Sequence, residues 1–384
     1  MNFTKIQTEL DYYKKFKPIN YTMERIKFFE QVEKNEPYNP KFNYPDKLRV
    51  SDYKDLKICL KKEMGKDGLV DEFLKIYLVV VDILIAWRKN SSEVLSNLSG
   101  KIFGSTALFD LEQTIKEYKK LDISAHSAAE VYSHQQIGKR FLEEFAKRKL
   151  EGWSIVYDET SGGNVSIYES QKKIVIKNGA TATAAGLECA VTHELDGHAI
   201  QAFNAMSHKR HRSWLLSYLG TEKQYEGYAT FVVVNNLSVP HILSELKHNF
   251  ALIIATSLAQ RLSFYETYQK MYDLCKDKNF SFSAAYKAKR GFHDTGQPGC
   301  FQKEISYLLG ALEIIKLVEE NKENYYKLAQ GCFPLSAIKF IAGKKPRWES
   351  IKKFNQKNWQ YFKNKLKPII KRNPANPHYW RRYV

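Results

Sequence analysis

Two histidines and a glutamate lie within six residues of one another, in the run His193-Glu194-Leu195-Asp196-Gly197-His198. Imidazole and carboxylate are ligand types that zinc prefers, and a hydrolytic zinc site keeps one position open for water. A carboxylate beside the first ligand can take the proton from that water. The run therefore predicts a hydrolytic zinc centre in which His193 and His198 are ligands and Glu194 is the catalytic carboxylate.

The spacing of the two histidines makes a structural prediction. The common helical version of such a site places its histidines at i and i+4, on one face. Here they stand at i and i+5, and on a regular helix they would diverge by about 140°. Both can reach one metal only if the helix carries an extra residue, as a π-bulge does. Gly197 lies inside this run, where a residue without Cβ tolerates the distortion.

The flanking sequence predicts a buried helix with Thr181 or Thr183 as its N-cap. An apolar stripe supports it, formed by Ala184, Ala185, Leu187, Ala190, Val191 and Leu195. The same pattern fits an ordinary core helix without a metal, but the two histidines and the glutamate favour the metal site.

A third ligand is expected on a later helix. Glu226, in the run Tyr225-Glu226-Gly227-Tyr228-Ala229, follows His198 by 28 residues, which leaves room for a turn and a second helix. Glu222, one helical turn earlier, is the alternative. Either glutamate could instead lie on a solvated helix face.

Together, the two motifs resemble those of the microtubule-associated tyrosine carboxypeptidase family and its bacterial relatives, the QEGLA-motif proteins. The resemblance implies one zinc ion per chain on His193, His198 and Glu226, with Glu194 as the catalytic carboxylate. It extends over roughly residues 25 to 320 through three further matches: Asn39-Pro40-Lys41-Phe42-Asn43-Tyr44, Arg290-Gly291, and Phe301-Gln302-Lys303-Glu304 followed by Tyr307-Leu308-Leu309-Gly310.

The chain also departs from the family pattern. The family usually has Ile-Gly-Thr between the histidines, where this chain has Leu195-Asp196-Gly197, and Gln-Glu-Gly-Leu-Ala where it has Tyr225-Glu226-Gly227-Tyr228-Ala229. The chain is therefore identified as a distant member, so the metal chemistry transfers better than the substrate. Dipeptidyl peptidase III has a similar histidine motif, but its third glutamate lies farther downstream, which makes it a weaker match.

Composition indicates an enzyme-sized globular chain. Its 384 residues are 43% hydrophobic, enough for a large core. The most apolar run, Ile76 to Trp87, is only 12 residues long and contains Asp82, so we expect a core helix and no membrane span. Residues 1–30 are rich in lysine and glutamate, which does not suggest a signal peptide. Five cysteines without a CxxC pair predict free thiols and a cytoplasmic location.

Hydrophobic periodicity predicts an α+β fold that is predominantly helical, and the resemblance implies that it is zincin-like. Helices are expected over 1–35, 52–64, 71–87, 104–121, from about 126 to 149, as a pair over 240–275, and over 304–320, with an extended segment over 37–46. His126 and His134 are interpreted as capping or surface residues. We expect three regions: an N-terminal helical region (1–150), a zincin-like catalytic region (151–338) and a basic C-terminal segment (339–384).

A small sheet is predicted directly before the metal helix. Short β-like runs span 153–157, 165–168 and 172–177, with a turn at 161–164. In zinc peptidases of this general class an edge strand binds the substrate backbone, and the resemblance implies that role here; the alternative is a purely structural sheet.

The C-terminal segment carries most of the positive charge. Between Lys339 and Arg382 there are 14 Lys or Arg residues and one Glu, which gives +13 of the chain's net +18. Aromatic residues interleave with them, a pattern that can bind an acidic protein tail, nucleic acid or a membrane surface. Nucleic acid is not favoured, and a packed helix with a basic outer face is favoured over all three.

The predicted function is removal of a C-terminal residue from a peptide or from a protein tail that could be acidic, and the resemblance implies that this residue is tyrosine or another aromatic. Arg290, with Lys303 second, would bind the α-carboxylate, and Tyr307 or Arg290 would stabilise the oxyanion. Structural alternatives are a helix cap for Arg290 and a surface charge for Lys303. Two other functions stay open: an amino-end peptidase that anchors the substrate ammonium on Asp196 or Glu222, and a non-enzymatic binding protein that uses the basic segment.

Overall fold

A computed structural model describes residues 3–45, 48–121, 131–158, 164–344 and 354–371. Within these residues the chain is predominantly helical, with two small sheets, which confirms the predicted α+β class. No helix in the described ranges is both long and apolar enough to cross a membrane. His126, the turn residues 161–163, and residues 345–353 and 372–384 of the basic segment lie outside the described residues.

The chain forms two compact units, each built from separate stretches. The first contains residues 1–111, 219–222 and 250–306, and the second contains 112–218, 223–249 and 307–384. The predicted division at residues 150 and 338 stays a prediction.

The first unit contains an aromatic core, to which three of its helices and the segment after Pro37 contribute. Its members include Phe28, Phe42, Phe264, Tyr268 and Phe282. The helices and short 3₁₀ turns that begin in this unit are Phe3–Leu10, Tyr12–Lys15, Tyr21–Glu33, Val50–Glu63, Gly68–Arg88, Ser92–Phe103, Thr106–Leu108, Leu111–Lys120, Glu222–Asn236, Phe264–Cys275, Lys278–Ala288, Gln302–Ile305 and Ser306–Glu320.

The single helix expected over 1–35 is wrong. Asp11 ends the first helix and caps the second, because its side chain accepts a hydrogen bond from the Lys14 amide. Pro18 then interrupts the chain before Tyr21–Glu33, since proline has no amide hydrogen to donate. The helix Ser92–Phe103 was missed.

The segment after Pro37 has no regular structure, as expected, and part of it is buried. Phe42 is buried in the aromatic core. The Asn39 side chain accepts a hydrogen bond from the Tyr265 amide at 2.9 Å, and the Tyr44 hydroxyl donates to the Phe292 carbonyl at 3.2 Å. These contacts give the Asn-Pro-x-Phe-x-Tyr match a role in packing.

The second unit contains both sheets. Strands β2 (Ser154–Asp158), β3 (Val165–Tyr168) and β4 (Lys173–Lys177) form a sheet in the order β2-β4-β3, with β2 parallel and β3 antiparallel to β4. These match the predicted runs. Strands β1 (Val131–Ser133) and β5 (Thr181–Thr183) pair separately and were missed, because three residues are too few for a periodic signal.

The helices that begin in the second unit lie between these strands and after them along the chain. They are His134–Arg148, Ala184–Val191, the π-helical segment Thr192–Ala199, Ile200–Ala205, Arg212–Leu215, Val239–Ala259, Asn324–Leu328, the 3₁₀ turn Leu335–Phe340, and Gln356–Leu366. A core between the sheet, the helix His134–Arg148 and the π segment includes Phe141, Phe145, Ile174, Ile176 and Leu195.

Candidate metal centre

The predicted metal helix is continuous from Ala184 to Ala205 and is called the first site helix below. Thr183 is its N-cap, with its hydroxyl accepting from the Gly186 amide at 3.2 Å. The backbone is α-helical to Val191, π-helical over Thr192–Ala199 and α-helical again from Ile200. The π-bulge that the i, i+5 histidine spacing predicts is therefore confirmed.

Three donor atoms converge where the bulge brings the histidines together. His193 Nε2 lies 3.1 Å from His198 Nε2 and 3.3 Å from an oxygen of Glu226, and His198 Nε2 lies 3.5 Å from the same oxygen. Neighbouring ligands of a tetrahedral zinc ion, with bonds of about 2.0–2.1 Å, are about 3.3 Å apart. The triangle of donor atoms has edges of this size, so these side chains fit a tetrahedral metal site.

Glu226 comes from the helix Glu222–Asn236, called the second site helix below. The two site helices approach closely at small residues. A Cβ added to Gly197 would lie 2.6 Å from the Cβ of Ala229, closer than side chains tolerate. The close approach of the helices therefore requires a residue without Cβ at position 197, in addition to the role of Gly197 in the bulge. For the same reason a small residue is needed at Ala229 of the Glu-Gly-x-Ala motif.

Gly227 of the same motif meets the helix Ser306–Glu320. A Cβ on Gly227 would lie 2.4 Å from the carbonyl carbon of Gly310, and a Cβ on Gly310 would lie 1.9 Å from the Lys223 carbonyl oxygen. This close crossing brings Tyr307, one turn before Gly310, to His193, with ring centroids 6.1 Å apart and an angle of 29° between the ring planes. The glycine motifs thus position a predicted site residue beside a predicted ligand.

Tyr225 is a site residue that the sequence analysis did not identify. Its ring stacks on the His198 imidazole with centroids 3.7 Å apart, and the Tyr218 ring also stacks on it, with centroids 5.5 Å apart. Its hydroxyl donates a hydrogen bond to Glu169. Burial raises the pKa of Glu169 to about 7, although the hydrogen bond from Tyr225 opposes this. The only feature of the sequence that could have pointed to Tyr225 is that this tyrosine stands where the family usually has glutamine.

The electrostatic surroundings of the histidines are negative. Burial acts to lower the pKa of His193, but the hydrogen bond to Glu226 and the charges of Glu194, Glu226 and Glu245 raise it overall. Glu194 is half-buried next to His193 in the π segment. Carboxylates that raise the pKa of an imidazole attract any positive charge, so the same field favours a metal cation.

The first unit contains the remaining candidates. Glu222 is fully buried and accepts a hydrogen bond from the Tyr12 hydroxyl. Burial raises the pKa of Glu222 to about 7, opposed by the Tyr12 hydrogen bond and the nearby charge of Lys303. Of the two candidate third ligands, the structure therefore brings Glu226 to the histidines.

Arg290 and Lys303 also belong to the first unit. The Arg290 guanidinium lies over the Tyr13 ring, 5.7 Å from its centroid. Arg290 follows the end of Lys278–Ala288, and its amide donates to the Lys287 carbonyl at 3.4 Å. Lys303 is only 6% exposed, so it is not the surface helix-start charge considered as its alternative.

Both carboxylates considered as ammonium anchors have partners of their own. Asp196 accepts two hydrogen bonds from the Arg148 guanidinium, at 2.9 and 2.8 Å. Glu222 is bonded to Tyr12. Because each carboxylate already binds a side chain of the protein, these contacts do not support the alternative in which one of them anchors the ammonium group of an amino-end peptidase substrate.

Comparisons with known proteins agree with the motifs. A sequence model of the family described as "Microtubule-associated tyrosine carboxypeptidase" matches residues 94–344. A mouse protein named "Putative tyrosine carboxypeptidase MATCAP2" is 23% identical over 308 residues, which cover 79% of this chain and 50% of that protein. The human protein of the same name is 28% identical over 188 residues, covering 48% of this chain and 34% of the relative.

A third relative carries the family's own name. The mouse protein "Microtubule-associated tyrosine carboxypeptidase 1" is 22% identical over 307 residues, which cover 78% of this chain and 56% of that protein. The chain thus spans about half the length, or less, of the curated relatives it matches. The resemblance predicted from the two motifs is confirmed.

Proposed function

Because the chain belongs to the microtubule-associated tyrosine carboxypeptidase family, we propose that it is a zinc-dependent carboxypeptidase that removes a C-terminal residue from a peptide or protein tail. The observation that carries the proposal is the triangle of donor atoms from His193, His198 and Glu226, with Glu194 beside the first ligand. A zincin-like arrangement, with a small sheet before a ligand-bearing helix, is part of the proposal.

The ligand set suits a catalytic ion rather than a structural one. His193 Nε2, His198 Nε2 and a Glu226 oxygen would hold one zinc per chain. Three protein ligands leave a position for water, whereas structural sites close it with a fourth. When bound, zinc polarises the scissile carbonyl and lowers the pKa of the attacking water.

The protein's own side chains would move the protons. Glu194 would accept a proton at a carboxylate oxygen from the attacking water and deliver it to the leaving amine. Tyr307 would donate its hydroxyl hydrogen to the oxyanion that develops on the scissile carbonyl oxygen. The stacking of Tyr307 near His193 supports this role.

Carboxypeptidase action further needs a cation for the terminal carboxylate. Arg290 is the proposed clamp, because a guanidinium fork matches two carboxylate oxygens, and Lys303 is the second candidate. We expect Arg290→Ala to lower kcat/KM for free-ended peptides by at least tenfold and to leave zinc content unchanged. A variant with full activity would exclude Arg290 and leave Lys303→Ala as the next test.

The proposed substrate is an acidic protein tail that ends in tyrosine or another aromatic residue. The names of the relatives support the tyrosine. The chain's net charge of +18 supports an acidic partner. The predicted cytoplasmic location is compatible with its five cysteines, all of which are free thiols.

The experiment that tests the proposal is mass spectrometry of matched peptides incubated with the purified protein. One set has free C-termini and acetylated N-termini, and the other has amidated C-termini and free N-termini. We expect loss of one C-terminal residue from the first set and almost no change in the second. Glu194→Gln is the control for a contaminating peptidase. Equal cleavage of amidated and free-ended peptides would contradict carboxypeptidase action.

A further inference from the structure

Two arginines on the helix His134–Arg148 hold two carboxylates on the first site helix. Arg148 binds Asp196 with its Nε and Nη2 at 2.9 and 2.8 Å, and Arg140 binds Glu188 with the same two atoms at 3.1 and 3.2 Å. Both pairs are bidentate, the geometry that fixes the orientation as well as the distance of the two groups. The first site helix is therefore fastened at two points.

Glu144 organises the two arginines. It is 5% exposed, lies midway between Arg140 and Arg148 in the sequence, and accepts hydrogen bonds from both guanidinium groups and from Lys147 at 2.7 Å. A buried carboxylate between two guanidinium groups offsets their mutual repulsion and restricts their rotamers. Arg148 thus reaches Asp196 from a fixed position.

The two fastened carboxylates lie on opposite sides of the point where the π segment begins. Glu188 belongs to the α-helical part, and Asp196 lies inside the π segment between the two histidines. On a regular helix, residues eight apart diverge by about 80°. One extra residue in the turn reduces this to about 20°, so both carboxylates face the same neighbouring helix. The Arg148–Asp196 pair matches the bulged helix and not the regular one.

We propose that Arg148 and Asp196 are positioning residues that hold the π segment in the form that brings the His193 and His198 donor atoms together. The role in metal binding rests on the proposed zinc function. A π turn is rare and occurs mostly as a single-turn bulge in an α-helix, so a tertiary contact that fits the bulged form and not the regular one favours the bulge. A bidentate pair with side chains 18% and 13% exposed supplies such a contact from outside the ligand set.

The Arg140–Glu188 pair provides a matched control. Glu188→Gln removes the same kind of bidentate contact from the same pair of helices, but outside the π segment. Asp196→Asn removes the contact inside it. We expect Asp196→Asn to weaken zinc affinity about 10- to 100-fold, as loss of outer support does in other zinc sites, and Glu188→Gln to leave it within about threefold of wild type.

Two measurements separate positioning from general stability. The first is zinc affinity by competition with a chromogenic chelator, together with the visible absorption spectrum of the cobalt-substituted protein, which reports ligand geometry. Asp196→Asn should shift that spectrum and Glu188→Gln should not. Arg148→Lys, which keeps the charge and loses the fork, should give an intermediate affinity. Equal effects of Asp196→Asn and Glu188→Gln, or no effect of either, would overturn the proposal.

The second measurement does not depend on metal. Hydrogen exchange of the metal-free proteins, followed by mass spectrometry, should show faster exchange over residues 192–199 in Asp196→Asn and unchanged exchange there in Glu188→Gln. If wild type binds no zinc but this difference appears, the proposed function fails and the support of the bulge stands. If exchange over 192–199 is unchanged in both Asp196→Asn and Arg148→Lys, the support itself is disproved.

Discussion

Gly197 and Ala229 lie against each other where the two site helices approach, and a Cβ on Gly197 would be 2.6 Å from that of Ala229. This contact sets the distance between the helix that carries His193 and His198 and the helix that carries Glu226. Gly197 therefore affects the geometry of the candidate metal centre, although it has no side chain that could bind a metal.

Enlarging Gly197 should separate the site helices. We expect Gly197→Ala to lower the free energy of unfolding by about 1–3 kcal/mol, as overpacking does in other cores, and to weaken zinc binding. Thermal unfolding and zinc titration measure the two effects. Gly343→Ala is the control, since its Cβ would find its nearest neighbour at 3.4 Å. A Gly197→Ala protein with wild-type stability and zinc affinity would contradict this account of the contact.

The proposed ligands should decide the zinc content. We expect about one zinc per wild-type chain by elemental analysis, and almost none in His198→Ala or Glu226→Ala, because the loss of one of three ligands leaves an incomplete site. Glu222→Gln should retain zinc, because Glu222 accepts a hydrogen bond from Tyr12 and is not one of the three proposed ligands. Full zinc occupancy in His198→Ala would refute the assignment. If Glu222→Gln lost its zinc and Glu226→Ala kept it, Glu222 rather than Glu226 would be the third ligand.

Glu194 should be needed for turnover and not for metal binding. Glu194→Gln should keep its zinc and its thermal midpoint but lose activity by about 10²- to 10⁴-fold, because an amide cannot accept the proton of the attacking water. Initial rates on a free-ended peptide, paired with zinc analysis of the same sample, test this. Retention of full activity would remove Glu194 from the mechanism.

Glu144 should make stability depend on acid pH. Burial acts to raise its pKa, but hydrogen bonds from Lys147, Arg140 and Arg148 lower it to about 2, against about 4.3 in an unfolded chain. The folded state therefore favours the ionised form. The stability this provides is present above about pH 4.3 and is lost as pH falls towards 2.

Urea unfolding of metal-free wild type and Glu144→Gln between pH 6 and pH 2 measures this contribution. We expect wild type to be more stable at pH 6 and the difference to shrink as the pH falls. Chelator in both samples removes the contribution of metal loss. A difference that stays constant with pH would mean that Glu144 acts through packing alone.

The basic C-terminal segment should behave as a packed element with a charged outer face. Trp359 on the helix Gln356–Leu366 is 1% exposed and stacks on Phe231, with ring centroids 5.0 Å apart. The Asn358 side chain donates to the carbonyls of Val234 and Leu237 at 2.8 and 2.7 Å. For this described part of the segment, the packed-helix interpretation is confirmed.

Two kinds of change separate packing from charge. Trp359→Ala should cost about 3–5 kcal/mol of unfolding free energy, as the loss of a buried aromatic does. Truncation after Gly343 should destabilise the protein for the same reason. Lys357→Glu with Lys367→Glu changes exposed residues and should preserve stability, but weaken salt-sensitive binding to acidic peptides measured by fluorescence anisotropy. Unchanged peptide binding would mean that this part of the segment contributes to packing and does not bind acidic peptides.

The sequence by itself predicted the chemistry proposed for the candidate site, and it determined one feature of the backbone there. His193 and His198 at i, i+5 required a π-bulge, because a helix has a fixed rotation per residue, and the structure has that bulge. Strands β2 to β4 were also predictable, because alternation marks a strand that buries one face. The apolar stripe before the histidines and the capping residue Thr183 likewise predicted the first site helix.

Only the tertiary structure decided which side chains support the site. Glu226 and Glu222 are one turn apart on one helix, and their neighbours in space, not their sequence, bring Glu226 to the histidines. The stacking of Tyr225 on His198 joins residues 27 positions apart, and the ion pair of Arg148 with Asp196 joins residues 48 positions apart. Local periodicity contains no information about such contacts, because they depend on how helices pack rather than on how each one forms.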